Sequence, residues 1–265
     1  MRDRIAVSIE DGVADIRLDR ADKMNALDPA MFDALIEAAA LVAETPGVRA
    51  AVLSGAGRAF CAGLDFGSFQ SMQDGGERSL RDLVTRTHGI ANRPQWAAWC
   101  WRELPVPVIC AVHGVAFGGG LQVALGADMR FTTADAQLSV MEIRWGLVPD
   151  VAGTQLLRHL CREDVVRELT YTGRIVTGEE AVALGLATRV EADPRAAALA
   201  AARDIAAKNP DAIRAAKRLL NAAVAVDAAE GLMRESQEQQ KLIGTPNQIE
   251  AVMANMQKRA PVFRD

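Results

Sequence analysis

Two short, mostly apolar runs, VRAAVLSG at residues 48–55 and VPVICAVHG at residues 106–114, each end in glycine. Runs this short and this apolar predict strands buried on both faces. Between and after them stand segments with apolar residues at helical spacing. Asp28 is placed to cap a helix that carries Pro29 in its first turn and runs to Pro46-Gly47. A second helical region is predicted from about Leu80 to Glu103, carrying Trp96, Trp99 and Trp101, and a third in GGLQVALGAD before the strand MRFTTA. Strand alternating with helix predicts an α/β protein with crossover connections.

The two ends of the chain read differently. IAVSIEDGVADIRLD alternates on either side of Glu10-Asp11-Gly12, which predicts a hairpin with an Asp-Gly turn. Beyond Pro194 the pattern is helical throughout, in three or four amphipathic segments broken at Asn209-Pro210, Val226-Asp227 and Thr245-Pro246. We therefore divide the chain into a core, 1–193, and a helical region, 194–265. The stretch Gln73 to Glu77 is polar and glycine-rich and reads as a mobile loop. No fixed-period repeat is evident.

Composition narrows the function. The net charge is −4 with both signs interspersed, so no basic stripe marks a nucleic-acid partner. No apolar window is long enough for a membrane span. The N-terminal MRDRIAVSIEDG meets charge too early for a secretory leader, which makes a cytoplasmic location the expectation. Cys61, Cys100, Cys110 and Cys161 lack CxxC or Cys/His spacing and read as reduced thiols. With only His88, His113 and His159 available, no metal centre is expected.

Two glycine loops follow the two buried strands: Ala62-Gly63-Leu64-Asp65 and Gly118-Gly119-Gly120. Backbone N–H groups can face a ligand where a strand gives way to a helix, and glycine removes the Cβ that would block its approach. Two such amides converging would make an oxyanion hole, each donor worth about 3 kcal/mol. Neither loop fits GxxxxGK[ST] or GxGxxG, which disfavours a nucleotide-phosphate loop.

In order and spacing, five segments resemble the crotonase superfamily (enoyl-CoA hydratase/isomerase). These are RADKMNAL, GAGRAFCAGLDF, the long stretch from PVPVICAVHG through GVAFGGGLQVALGADMRF to GLVPDVAGTQLL, TGRIVTGEEAVALGLATRV, and GTPNQIEAVMANMQKRAPVF in the tail. The resemblance implies a crotonase-like spiral of ββα turns followed by a helical trimerisation region, assembled as a homotrimer or a dimer of trimers. It implies an acyl-CoA thioester as substrate, with no cofactor besides the coenzyme A that the substrate carries. The thioester carbonyl would accept from the N–H groups of Leu64 and Gly119, with Gly118 beside them. Lys23, Ala62 and Asp65 would lie along the coenzyme A.

The resemblance also gives Gln122 its interest. Hydratases of this family carry glutamate there and a second glutamate about twenty residues on, and the pair activates one water. Here the pair is Gln122 and Glu142. A carboxamide cannot act as a base near neutral pH, though it can orient a water or satisfy neighbouring backbone. Glu142 is then the expected acid/base, with burial raising its pKa. Asp150 follows in GLVPD, either as turn chemistry or as a second proton carrier. The Glu-x7-Asp spacing resembles dienoyl-CoA isomerases and 3-hydroxyisobutyryl-CoA hydrolases, and an aspartate here resembles the nucleophile of 4-chlorobenzoyl-CoA dehalogenases. The isomerases carry aspartate at the Gln122 position, however, and the dehalogenases carry tryptophan at the Glu142 position.

The leading expectation is double-bond isomerisation of an enoyl- or dienoyl-CoA through Glu142. The alternatives are an enoyl-CoA hydratase with Gln122 orienting water, a thioester hydrolase using Glu142 and Asp150, and a non-catalytic acyl-CoA binding protein. WAAWCW is either core or the lining of an acyl pocket, and the helix around Leu232, Met233 and Gln239 is placed to close the acyl end.

Overall fold

Asp11, at φ +49°, and Gly12, at φ +78°, supply the left-handed turn that folds β1 (Ile5–Glu10) onto β2 (Val13–Leu18). The computed structural model describes residues 1–65, 67 and 82–265. The expected mobile stretch Gln73 to Glu77 lies outside the described residues.

From β2 the chain crosses over through α1 (Pro29–Glu44) to β3 (Ala50–Gly55). Asp28 caps α1 by accepting from Met31 N, as the sequence predicts. The large sheet then grows by parallel additions of β4 (Val108–Val112), β6 (Met129–Thr132) and β9 (Arg189–Val190), in the order β1-β2-β3-β4-β6-β9. Every residue of β3 and β4 is buried, which is why both read as unbroken apolar runs.

A second sheet is made of β5 (Val115–Phe117), β7 (Gln137–Ser139) and β8 (Val176–Thr177), in the order β5-β7-β8. Successive strands are dealt to the two sheets in turn: β4 to the large one, β5 to the small one, β6 to the large one, β7 to the small one. This alternation is the spiral. One core lies between the sheets and helices α1, α2 (Arg93–Glu103) and α3 (Gly119–Leu125).

Helix α2 is shorter than predicted. Asn92 caps it with a reciprocal Asn92–Gln95 capping box, and residues 82–92 form turns instead of helix. The cause is local: Pro94 has no N–H to give to a preceding turn and fits only in the first turn of a helix, and Asn92 supplies a ready cap. Residues 80 and 81 lie outside the described residues.

Short helices α4 (Gly153–Leu157), α5 (Glu163–Thr172) and α6 (Gly178–Leu184) complete the spiral. Four helices follow, α7 (Pro194–Ala206), α8 (Pro210–Ala223), α9 (Ala228–Leu242) and α10 (Pro246–Met256), broken where the sequence predicts. Ala198, Ala202 and Ala206 of α7 pack on the outer face of the large sheet in a second apolar cluster. Lys217 of α8 is buried, and its ammonium donates to the Trp101 and Val106 carbonyls and to Asp128 Oδ2. The tail is tied back through Arg49 and Arg214, both paired with Asp265.

The N-terminal motif is organised by Asn25, fully buried in the left-handed region at φ +56°. Its amide nitrogen reaches the carbonyls of Ala56, Ala59 and Phe60, and its oxygen accepts from Arg20 N. Asn25→Ala strands several buried backbone groups at once. It should lower unfolding free energy by roughly 3 kcal/mol, read as a shift in denaturant midpoint with unchanged slope.

Candidate active site

Register brings the site together. Cys61 N donates to Val115 O and Phe117 N donates to Cys61 O, so the loop after β3 runs as a ladder beside β5. On its other side β5 pairs in parallel with β7, Phe117 opposite Ser139. Three neighbouring segments therefore end at one edge. Just past those ends lie Gly63 and Leu64, Gly118 and Gly119, and Glu142.

Leu64 sits in a parallel bridge with Leu27 that uses the Gly63 carbonyl and the Asp65 N–H. Leu64's own N–H therefore points away from that bridge. Gly119 opens α3, where the first-turn N–H groups have no helical partner. Among the described residues, neither the Leu64 nor the Gly119 N–H meets an acceptor. The loops that carry them touch: a Cβ on Gly63, at φ +91°, would lie 2.7 Å from the Phe117 oxygen and 4.0 Å from the Gly119 nitrogen. Only glycine fits there.

Gln122, on α3, is 1% exposed. Its side-chain oxygen accepts from the N–H groups of Val151 and Gly153, each at 2.8 Å, and its amide nitrogen donates to Glu142 Oε1 at 2.5 Å. This settles what the carboxamide does locally. Acceptor on one side and donor on the other, it joins the start of α4 to Glu142. A glutamate could accept from Val151 and Gly153, yet it could reach Glu142 only with a proton between the two carboxyls.

Glu142 opens a short 3-10 turn, Glu142–Trp145, just beyond β7. It is buried, and its Oε2 is sealed from solvent with no hydrogen-bond partner among the described residues. Gly118, at φ +51°, makes room for it: a Cβ there would sit 3.1 Å from Oε1. Desolvation raises the Glu142 pKa, the donor from Gln122 works against that, and Asp150 adds to the rise. An unpaired carboxylate oxygen inside a protein is rare outside functional sites.

The other expected site residues are placed as follows. Asp150 is exposed, yet the protein around its carboxyl still desolvates it and holds its pKa above the ordinary aspartate value. Lys23 is exposed on the 3-10 turn Ala21–Lys23. Ala62 N donates to Met24 O, which fastens that turn to the loop after β3. Asp65 pairs with Arg20 at 2.7 Å and accepts from Gly67 N, so its carboxylate anchors the loop. Arg20 also faces Asp28 at 3.5 Å. The sequence reading missed Asn25 and Arg20, although both stand inside the RADKMNAL motif. Leu232 and Met233 are exposed on α9. Cys61 is buried beside the site with its thiol pushed up to about 12, which removes it as a thiolate nucleophile. Among the described residues, no group of three His, Cys, Asp or Glu side chains is placed to hold a metal ion.

A family model described as enoyl-CoA hydratase/isomerase matches residues 8–265. A mouse protein named enoyl-CoA hydratase domain-containing protein 2, mitochondrial, is 33% identical over 95% of this chain and 84% of its own. The mouse mitochondrial Delta(3,5)-Delta(2,4)-dienoyl-CoA isomerase is 31% identical over 95% of this chain and 79% of its own. The crystal structure of an enoyl-CoA hydratase from Bacillus anthracis superposes with a TM-score of 0.90 at 31% identity, covering 98% of both chains.

A buried glutamate with a raised pKa weakens the fold once it ionises. Below the ordinary glutamate range, the folded and unfolded chains both hold the proton and nothing is lost. As pH rises toward the elevated folded value, the unfolded chain releases the proton first and stability falls. Glu142→Gln should therefore unfold at a higher temperature than the parent at neutral pH. The gap should close as pH drops below the ordinary glutamate range, a comparison that thermal melts across pH can make.

Proposed function

Since the chain belongs to the enoyl-CoA hydratase/isomerase family, we propose that it moves a double bond along an enoyl- or dienoyl-CoA thioester, with Glu142 carrying the proton. The observation that carries this reading is the asymmetry of the Glu142 carboxyl. Oε1 is held by Gln122, whereas Oε2 is buried and unpaired. One oxygen is left to take a proton from carbon and return it elsewhere. The thioester oxygen would accept from the Leu64 and Gly119 N–H groups as negative charge moves onto it, a term worth about 3 kcal/mol per donor. Burial supports the base role, because a raised carboxyl pKa narrows the gap to a carbon acid. Lys23, exposed on its turn, would meet the coenzyme A phosphates, with Ala62 and Asp65 shaping the loop beneath.

Hydration is the second reading. It asks Gln122 to orient a water, but its oxygen already accepts from two N–H groups and one of its amide hydrogens is given to Glu142. A single amide hydrogen remains for water, which ranks hydration below isomerisation. Hydrolysis through Glu142 and Asp150, and acyl-CoA binding without turnover, follow.

We place the protein in the cytoplasm, in keeping with its four unpaired cysteines. Among the described residues, no helix is long and apolar enough to cross a membrane. We also propose assembly as a trimer or a dimer of trimers through residues 194–265. Leu232, Met233, Ile249, Val252, Met253 and Met256 all stand exposed on α9 and α10, more apolar surface than two solvated helices ordinarily show.

The deciding experiment is mass spectrometry of enoyl-CoA and dienoyl-CoA substrates incubated in heavy water. A shifted double bond with no added water is the expected result, and a hydrated product would transfer the proposal to the second reading. Glu142→Gln should slow isomerisation by about 10³-fold while leaving thioester affinity intact. Gln122→Leu removes the donor that opposes the pKa rise of Glu142. The acid limb of its kcat/KM profile should therefore move to higher pH, whereas a merely structural Gln122 would lower the profile without moving it.

A further inference from the structure

Away from Glu142, one groove gathers positive charge with little to answer it. It has a volume of about 460 Å³ and is walled by α2, the turns before it, the first turn of α4 and the end of α8. Arg86, Arg102 and Arg158 line it. Arg86 is occupied by the Leu83 and Val84 carbonyls and by Gln95 Oε1. Arg102 is half-buried, its guanidinium 5.6 Å from the centre of the Trp99 ring, and among the described residues its side-chain donors meet no acceptor. Among the described residues, Arg158 donates only to the imidazole of His159. The carboxylate in the groove wall, Glu103, accepts from the Trp99 indole N–H.

Among the described residues, three guanidinium groups line the groove against one carboxylate, which leaves it positive. His159 responds to this: burial, then Arg158 and Arg102, lower its pKa. A half-buried guanidinium with idle donors forgoes the pairing that ordinarily offsets its desolvation. Its planar fork matches a carboxylate in two parallel hydrogen bonds. Ile90, Trp99 and Val224 supply apolar wall for methylenes.

One lining residue ties the groove to the supports of the candidate site. Ala152 lines it and lies between Val151 and Gly153, the two residues whose N–H groups hold Gln122. A substrate held at Glu142 and long enough to pass Ala152 would put its far end in this groove. We propose that this groove receives the distal end of the acyl group, and that Arg102 and Arg158 select acyl groups ending in a carboxylate. The inference rests on the acyl-CoA reading above.

Titration calorimetry with saturated thioesters, which bind without turning over, tests it apart from the chemistry. Glutaryl-, adipoyl- and suberoyl-CoA would be compared with pentanoyl-, hexanoyl- and octanoyl-CoA. The expected result is at least one dicarboxylic thioester binding about tenfold more tightly than its uncharged counterpart, equivalent to about 1.4 kcal/mol. Arg102→Gln with Arg158→Gln should erase that preference while hexanoyl-CoA affinity stays within about twofold, consistent with pairing at the carboxylate alone. Equal affinities in the parent protein would overturn the groove assignment and leave the acyl-CoA reading standing. An equal loss for both thioester classes in the double variant would also overturn it. Free adipate binding as tightly as adipoyl-CoA would mark an independent anion site and sink the acyl assignment. No binding of any thioester would remove both readings.

Discussion

The ladder between Cys61, β5 and β7 is the constraint on which the site depends. Cys61 exchanges backbone hydrogen bonds with Val115 and Phe117, and Phe117 stands opposite Ser139. A strand register cannot slip by one residue without sending every side chain to the other face. Fixing this register therefore fixes which residues emerge at the edge. The Gly63-Leu64 turn, the start of α3 and the Glu142 turn come out side by side because their strands do. Asn25 then locks the first of these segments from beneath, reaching the Ala56, Ala59 and Phe60 carbonyls with one amide.

On that frame, two kinds of cost are concentrated within a few residues. Glu142 is taken out of water with one oxygen unpaired, and Gly118 adopts a left-handed backbone so that the carboxyl can approach. Neither feature helps the fold. Each suits the proposed chemistry, in which a proton would leave carbon and a thioester oxygen would accept charge. Gln122 tempers the first cost. The Val151 and Gly153 N–H groups polarise its carboxamide, and that polarisation strengthens the donor it offers Glu142.

Much of this was legible in the sequence, for reasons that are local. The Asp-Gly hairpin, the Asp28 cap and the breaks before Pro210 and Pro246 follow from turn and capping chemistry carried by adjacent residues. The glycine loops and Glu142 were recognisable because the motifs preserve their spacing. What escaped depended on contacts distant in sequence. Nothing in LNAA around residue 220 or in DAIRAAKRLL says that Lys217 will be buried against the Asp128 carboxylate. Spacing put Gln122 twenty residues before Glu142 but could not say that the two side chains would touch. The overlong prediction for α2 came from counting apolar periodicity through residues 82–92, where the Asn92-Arg93-Pro94 punctuation decides the start. Of WAAWCW, Trp101 lies in the core, and Trp99 packs against it while also standing on the groove wall.

The lopsided Glu142 carboxyl also has a stereochemical consequence. On the proposed isomerase reading, with Oε1 tethered by Gln122, proton removal and return would both pass through Oε2 from one side of the substrate plane. The proposed double-bond shift would then be suprafacial, with a deuteron taken from one carbon delivered to the same face of another. How much of that label survives to the product becomes a clock. It reports whether the buried oxygen hands its proton on before solvent water can reach it.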